Sequence, residues 1–219
     1  MIVSHARRFV LFPDPLGGSP LLVNGLEAFG DPEIVGQKPG MAGRPFFTDM
    51  SPVEAEWAFD SLDLPFRSYM RIAVIENPFS RMVRLYERIA ENDPLWIVRK
   101  RAGFRARDFC SWLQTTNTEG FGAAGRHGPR WRRFGSWSAK HWCGDHITHV
   151  IRQEAIEDDL HPVLAALGLA PAFDTGFARG PKPIRLNDYY NERSTALIKE
   201  RYAWDLAQFG YGTSVRRAG

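Results

Sequence analysis

The sequence predicts a single α/β domain in which a central, mostly parallel sheet is flanked by helices in three layers. Short apolar segments typical of buried strands alternate with longer segments whose apolar residues recur at helical spacing. The chain has 219 residues, of which 24% are charged and 44% hydrophobic, and this suits one domain with a full core. Because no internal repeat or linker is evident, residues 1–219 are predicted to form that one domain.

The first strand–helix unit lies near the N-terminus. Residues 8–13 (RFVLFP) predict a short buried strand, and residues 21–29 (LLVNGLEAF) predict a helix from their apolar spacing. The turn between them, DPLGGSP, is rich in glycine and proline. Residues 30–50 hold further glycines and prolines, so a loop is expected there.

The next helix begins with a capping signal. Ser51 is suited to the N-cap, Pro52 to the first helical position and Glu54 to the third, where a carboxylate reaches back to the N-cap N–H. This helix is predicted to extend to about Leu62. The apolar run that follows at 70–75 (MRIAVI) predicts a buried strand.

The rest of the chain continues the alternation, with Pro162 expected to bend the helix that contains it. Apolar strands alternating with helices favour a parallel sheet with helices on both faces. The remaining predicted elements are a helix from Arg81 to Ala90, a helix from Phe104 to Leu113, a glycine-rich loop over 117–128, a strand over 146–151, a helix over 155–167 stopped by Gly168, a connection over 170–187, and a final helix over 191–209 stopped by Gly210.

Composition excludes several classes of protein. No apolar run approaches the ~18 residues of a membrane span. The run from Phe9 to Phe12 follows two arginines and precedes Pro-Asp, so it does not form a signal peptide. Two cysteines, Cys110 and Cys143, exclude a disulfide scaffold and favour a reducing cytoplasm. His141 beside Cys143 is too small a set for zinc, so no metal is predicted.

Basic residues are concentrated in two places. Residues 99–107 (RKRAGFRAR) and 126–133 (RHGPRWRR) hold much of the excess behind the net charge of +3. Two interpretations stay open, a solvated face and a surface for anionic ligands such as nucleotide phosphates, acidic carbohydrates or nucleic acid. Trp131 and Phe134 could stack on a sugar or pack internally. Nucleic acid is not the expected partner, and homo-oligomer formation is left open.

The turn after the first strand is a candidate phosphate-binding loop. Gly17 and Gly18 let the backbone approach an anion, and Ser19 adds a hydroxyl group. The helix that follows presents free N–H groups and the positive end of its dipole. The spacing is not that of a Walker A motif, whose lysine is also missing. A tight turn without a ligand is the alternative.

Five segments in order resemble the sulfotransferase superfamily, closest to its carbohydrate-type branch. Residues 9–22, FVLFPDPLGGSPLL, resemble its 5′-phosphosulfate loop, and SYMRIAVIENPFSRMVRLYERI resembles its 3′-phosphate segment. SPVEAEWAFDSLDLPF resembles the helix that leads into the second of these, and two later segments match the family's remaining patterns. The matching residues are Asn77, Pro78, Phe79, Arg81, Val83 and Tyr86 in the 3′-phosphate segment, Arg152, Glu154 and Asp158 or Asp159 in the fourth segment, and Tyr202, Asp205, Phe209, Gly210 and Tyr211 in the closing helix.

This resemblance implies a nucleotide-kinase-like (P-loop-like) α/β fold. It also implies 3′-phosphoadenosine 5′-phosphosulfate as donor, with transfer of a sulfuryl group to a hydroxyl of a carbohydrate or small acceptor. No metal is implied. The positions implied to contact the donor are Gly17, Gly18, Ser19, Arg81, Arg84 and Arg152.

Three donor-contacting positions differ from the family pattern. Asp14 or Pro15 stands where the family has a lysine that stabilises the bridging oxygen. Glu76 replaces the 3′-phosphate arginine, and Arg84 replaces its serine partner. An acid at ~4 Å from a phosphate opposes binding by roughly 4 kcal/mol at an effective dielectric of ~20. The alternative function is an inactive or repurposed protein of this fold that binds an anionic ligand or a protein partner.

The base that would take the acceptor proton has several candidates. His141, with Lys140 beside it, lies in a stretch that loosely resembles an acceptor-side segment, so it is the first choice. Glu54 and Glu56 are alternatives. Lys38 and Lys140 are the loop lysines available to replace the missing one. For each of these side chains, an ordinary surface role is the competing interpretation.

Overall fold

The computed structural model describes residues 1–16, 20–92, 105–116, 130–170 and 184–213. The chain forms two compact units, Met1–Glu76 with Trp142–Pro181 and Asn77–His141 with Lys182–Gly219. The described strands belong to the first unit, and the described part of the second unit is helical. The predicted loop over 117–128 and most of the connection over 170–187 lie outside the described residues.

The first unit is built on a mixed four-stranded sheet. The described strands are β1 (Ile2–Ser4), β2 (Phe9–Phe12), β3 (Val35–Gly36), β4 (Phe46–Phe47), β5 (Met70–Ile75) and β6 (His149–Arg152). The sheet order is β1-β2-β5-β6, in which β2, β5 and β6 are parallel and β1 is antiparallel to β2. Strands β3 and β4 form a separate parallel pair inside the predicted loop over 30–50.

The described α-helices lie in both units. They are α1 (Pro20–Glu27), α2 (Pro52–Ser61), α3 (Pro78–Asn92), α4 (Arg105–Thr115), α5 (Arg130–Phe134), α6 (Ala139–Cys143), α7 (Ile156–Ala166), α8 (Glu192–Arg201) and α9 (Ala203–Gln208).

Helices of the first unit cover both faces of the main sheet. On one face Leu11 and Val74 pack in a cluster with α1 and α7. On the other face Val10 and Phe12 pack with Phe59 of α2. The predicted α/β class is therefore confirmed, as a four-stranded mixed sheet flanked by helices. None of the described helices is both long and apolar enough to cross a membrane.

Several elements confirm the sequence prediction closely. Strand β5 covers the predicted residues 70–75. At the start of α2, the Ser51 side chain accepts from the Glu54 N–H and the Glu54 carboxylate accepts from the Ser51 N–H, which completes the predicted capping box. Helix α7 is continuous from Ile156 to Ala166 with Pro162 inside it.

Besides the β3–β4 pair in the predicted loop over 30–50, further elements correct the prediction. Strand β1 was not predicted, because three residues are too short a segment for a periodicity to show. The strand expected over 146–151 begins only at His149. The final helix is broken at Tyr202, which has non-helical angles (φ −113°, ψ 24°), so α8 and α9 are separate helices.

The second unit packs its helices around aromatic rings. Phe109 of α4 contacts Tyr86 of α3 at 5.2 Å and Tyr190 at 5.0 Å between ring centroids. Tyr190 also contacts Phe79 at 5.2 Å. Edge-to-face contacts of this kind stabilise the packing beyond what the buried area of the rings contributes. After α9, Gly210 takes a positive φ of 66°, which ends the helix as predicted.

Candidate functional site

The candidate site of the first unit is the edge of the sheet where its parallel strands end. Strands β2, β5 and β6 are adjacent and parallel, so the loops that follow them leave from the same edge. In open α/β sheets, ligands bind outside the carboxyl ends of the strands. Polar residues follow all three strands there: Asp14, Glu76 and Gln153, which are 3%, 3% and 1% exposed.

Asp14 shapes the turn after β2. Its carboxylate accepts a hydrogen bond from the Leu16 N–H at 2.7 Å, which is the local turn that aspartate side chains favour. Gly17, Gly18 and Ser19 lie outside the described residues, and α1 begins immediately after them at Pro20. A strand therefore precedes the predicted phosphate loop and a helix follows it, and the buried carboxylate of Asp14 lies near its start.

Glu76 and Gln153 stand one step beyond the last paired residues of their strands. Ile75 and Arg152 form the final register pair between β5 and β6. Because neighbouring strands lie about 5 Å apart, the backbones at the next step are also expected to be close. Neither polar atom of the Gln153 amide has a hydrogen-bond partner among the described residues.

Arg152 is held by a carboxylate on the adjacent helix. Its Nε and Nη2 donate to the two oxygens of Asp159 at 2.8 and 2.7 Å, and its backbone N–H donates at 2.9 Å. These hydrogen bonds lower the pKa of Asp159. The predicted donor contact of Arg152 remains a prediction, and the geometry gives this side chain a defined structural role.

In the second unit, Arg81 is buried and binds backbone carbonyls. Its Nη1 donates to the Trp137 oxygen at 2.6 Å and its Nη2 to the Phe134 oxygen at 3.1 Å. Arg84, the other arginine predicted to contact the donor, is half-buried on the same helix. Arg81 thus supports the segment that follows α5.

The closing-helix residues act on that same segment. The hydroxyl of Tyr202 donates to the carbonyl of Ser136. The carboxylate of Asp205 accepts from the N–H groups of Ala139 at 2.7 Å and Lys140 at 3.3 Å, so it caps the start of α6. Burial raises the pKa of Asp205, and the two N–H donors oppose that rise.

The three residues predicted as candidate bases make different contacts. His141 is half-buried in α6, where its backbone N–H donates to the Ser138 carbonyl at 3.1 Å. Glu54 is engaged in the capping box. Glu56 pairs with Arg67 at 3.0 Å and with Nδ1 of His146 at 2.8 Å, at the surface of the first unit. Glu54 therefore has the capping role that the sequence predicted, and Glu56 has a pairing role that the sequence left open.

Gln153 is the site residue that sequence reasoning missed. It lies between Arg152 and Glu154, which matched the family pattern, and the only local signal was a polar residue directly after a strand. Its burial depends on packing between distant segments, and no periodicity reports that.

The part of the chain that the structure describes holds no cluster of three or more His, Cys, Asp or Glu side chains that could bind a metal ion. Comparisons with protein-family models, with curated protein sequences and with solved structures found no match for this chain.

Proposed function

We propose that this protein has the nucleotide-kinase-like fold of the sulfotransferases and binds a ligand at the carboxyl edge of its sheet without transferring a sulfuryl group. The observation that carries this proposal is the burial of two carboxylates there, Asp14 after β2 and Glu76 after β5. The resemblance puts the basic groups that bind the donor at these two positions.

A phosphosulfate donor does not fit such an edge. Its groups are anions, and carboxylates close to them oppose binding by roughly 4 kcal/mol each at ~4 Å and an effective dielectric of ~20. Burial makes this worse, because little water remains to screen the charges. Buried carboxylates instead favour a ligand with hydroxyl or amine donors, such as a carbohydrate.

Sulfuryl transfer from 3′-phosphoadenosine 5′-phosphosulfate is the second candidate function. It is favoured by the order of the elements, because β2 ends at Phe12 and α1 begins at Pro20, directly after Gly17, Gly18 and Ser19 in the sequence. In either case we place the protein in the reducing cytoplasm, because two cysteines, Cys110 and Cys143, are too few for a disulfide scaffold.

The test is binding of 3′-phosphoadenosine 5′-phosphate to the wild type and to a variant with the family's residues restored. That variant carries Asp14→Lys, Glu76→Arg and Arg84→Ser. We expect no rise in the melting temperature of the wild type at roughly millimolar nucleotide, and a rise of several degrees in the restored variant.

The control carries the same charge changes at exposed positions, Glu33→Arg, Asp60→Lys and Arg67→Ser. If the positions of the charges, rather than the net charge, decide binding, the nucleotide should not raise the melting temperature of this control. A rise in the melting temperature of the wild type with the nucleotide, absent in Arg84→Ala, would reject the first proposal. That result would establish the second candidate and assign Arg84 to donor binding.

A further inference from the structure

A cavity at the open edge of the sheet offers a second place for a ligand. It has a volume of about 220 Å³ and is lined by β1, the turn after α1, and the β3–β4 segment. Strand β1 is the edge strand, so this cavity lies at the side of the sheet rather than beyond the ends of β5 and β6. The proposed function does not use it.

Asp31 is fixed in the wall of this cavity. A Cβ on Gly30 would lie 2.5 Å from Cγ2 of Ile2, so only glycine lets the turn approach β1 this closely. Beside it, the Asp31 N–H donates to the Val3 carbonyl at 2.7 Å, and the Asp31 Oδ2 accepts from the His5 N–H at 2.7 Å. The carboxylate is therefore held in place before any ligand arrives, which reduces the entropic cost of binding.

Charged groups of both signs line the cavity with hydrogen-bonding capacity to spare. Within the described ranges, Oδ1 of Asp31 and the carboxylate of Glu27 accept no hydrogen bond. Arg44, from the segment between β3 and β4, donates from Nη1 to the Val35 carbonyl at 3.0 Å. A guanidinium carries five N–H donors, so most of them remain for an anionic group.

The size of the cavity limits what it can hold. At about 220 Å³ the cavity is smaller than the ~300 Å³ of typical pockets for larger ligands. A nucleotide is too large for this volume. A small amino acid fits this volume, and its ammonium and carboxylate groups complement the acidic and basic side chains of the walls.

We propose that this cavity binds a small zwitterion, with its ammonium group on Asp31 and Glu27 and its carboxylate or sulfonate on Arg44. The ammonium and the acids form charge-assisted hydrogen bonds, and the guanidinium takes the anionic group in its two-pronged geometry. The ligand needs both charges, because a ligand with one charge leaves either the two acids or Arg44 without an oppositely charged group.

The experiment is calorimetric titration with three zwitterions, glycine, L-serine and taurine, each at roughly 10 mM to saturate a millimolar site. Ethanolamine supplies the ammonium alone and glycolate the carboxylate alone. Measurements at about pH 8 keep the neighbouring Met1 amine neutral, because burial lowers its pKa to about 6. We expect saturable binding of at least one zwitterion and weaker binding, by about tenfold or more, of both single-charge probes.

Two variants locate the binding. Asp31→Asn and Arg44→Met should each weaken it by about tenfold. The matched controls Glu33→Gln and Lys38→Met alter exposed charges on the same two segments outside the cavity, and they should leave it unchanged. Because Asp31 also accepts from His5, loss of binding in Asp31→Asn alone would reflect the fold. Loss in Arg44→Met is the decisive result.

The proposal is overturned if none of the three zwitterions binds to the wild type. Equal binding of ethanolamine and L-serine would also overturn it, as would binding unaffected by Arg44→Met. Neither result would bear on the carboxyl edge of the sheet, which the nucleotide titration tests separately.

Discussion

The guanidinium of Arg81 donates to the carbonyl of Trp137 at 2.6 Å. It joins the first turn of α3 to the segment between α5 and α6, and a second bond to Phe134 strengthens that link. Arg81 falls in register with an arginine of the sulfotransferase pattern. Arg81 is 3% exposed, so both hydrogen bonds are buried and give this side chain a structural role within the second unit.

Arg81→Met should lower the free energy of unfolding by about 3 kcal/mol. The substitution removes two charge-assisted hydrogen bonds and leaves two carbonyl oxygens without that donor. Urea denaturation measures the loss, with the exposed Arg185→Met as control. A variant as stable as the wild type would contradict this and show that Arg81 does not hold the segment after α5.

Asp205→Asn should change how stability depends on pH. Burial raises the pKa of Asp205 in the folded state above the unfolded value of 3.8, so the folded state takes up the proton more readily. The contribution of this group to stability is therefore largest below pH 3.8. It declines as the pH rises through the folded pKa, and it is level above that.

The asparagine variant lacks this decline, because its side chain does not titrate. Its stability relative to the wild type should therefore rise with pH, as measured by urea denaturation in steps from about pH 3.5 to 7. Asp188→Asn, at an exposed position of the same unit, should show no such trend. A flat difference for Asp205→Asn would contradict the inferred rise of its pKa.

Local patterns predicted the elements whose signal lies within a few consecutive residues. The six-residue apolar run of β5 and the capping residues of α2 are of this kind. The break at Tyr202 is not, because the hydroxyl of Tyr202 bonds to Ser136, 66 positions away, and Asp205 caps a helix equally distant in sequence. A helical period continues through Tyr202, so periodicity alone predicts one long helix.

The same distinction applies to the candidate site. Asp14 and Glu76 could be identified from the sequence, because each stands directly after a predicted strand. The pairing of Arg152 with Asp159 and the burial of Gln153 could not, since both depend on how α7 returns to β6. The β1 edge and its cavity depend on the pairing of Ile2 with Leu11, which leaves no mark in a three-residue segment.

Ser51→Ala should lower the free energy of unfolding by about 1 kcal/mol. The substitution removes the side-chain oxygen that accepts from the Glu54 N–H and the hydroxyl that donates to the Glu54 carboxylate at 2.6 Å. Urea denaturation measures this, and Ser61→Ala, near the exposed end of the same helix, is the control. Equal losses in the two variants would show that the cap does not stabilise α2.

Asp159→Asn should destabilise the protein near neutral pH by about 1–2 kcal/mol, since it converts charge-assisted hydrogen bonds to Arg152 into neutral ones. Arg152 holds the pKa of Asp159 below its usual value of 3.8 in the folded state. The stabilising contribution is therefore fully present above pH 3.8, and it is lost as the pH falls through the folded pKa. The difference in the free energy of unfolding between wild type and variant should shrink accordingly in acid.

Asp158→Asn is the matched control, because this exposed residue shares the first turn of α7 and its helix dipole but not the contact with Arg152. If both variants lost the same stability at neutral pH, the dipole rather than the ion pair would account for it, and Arg152 would be available for a ligand.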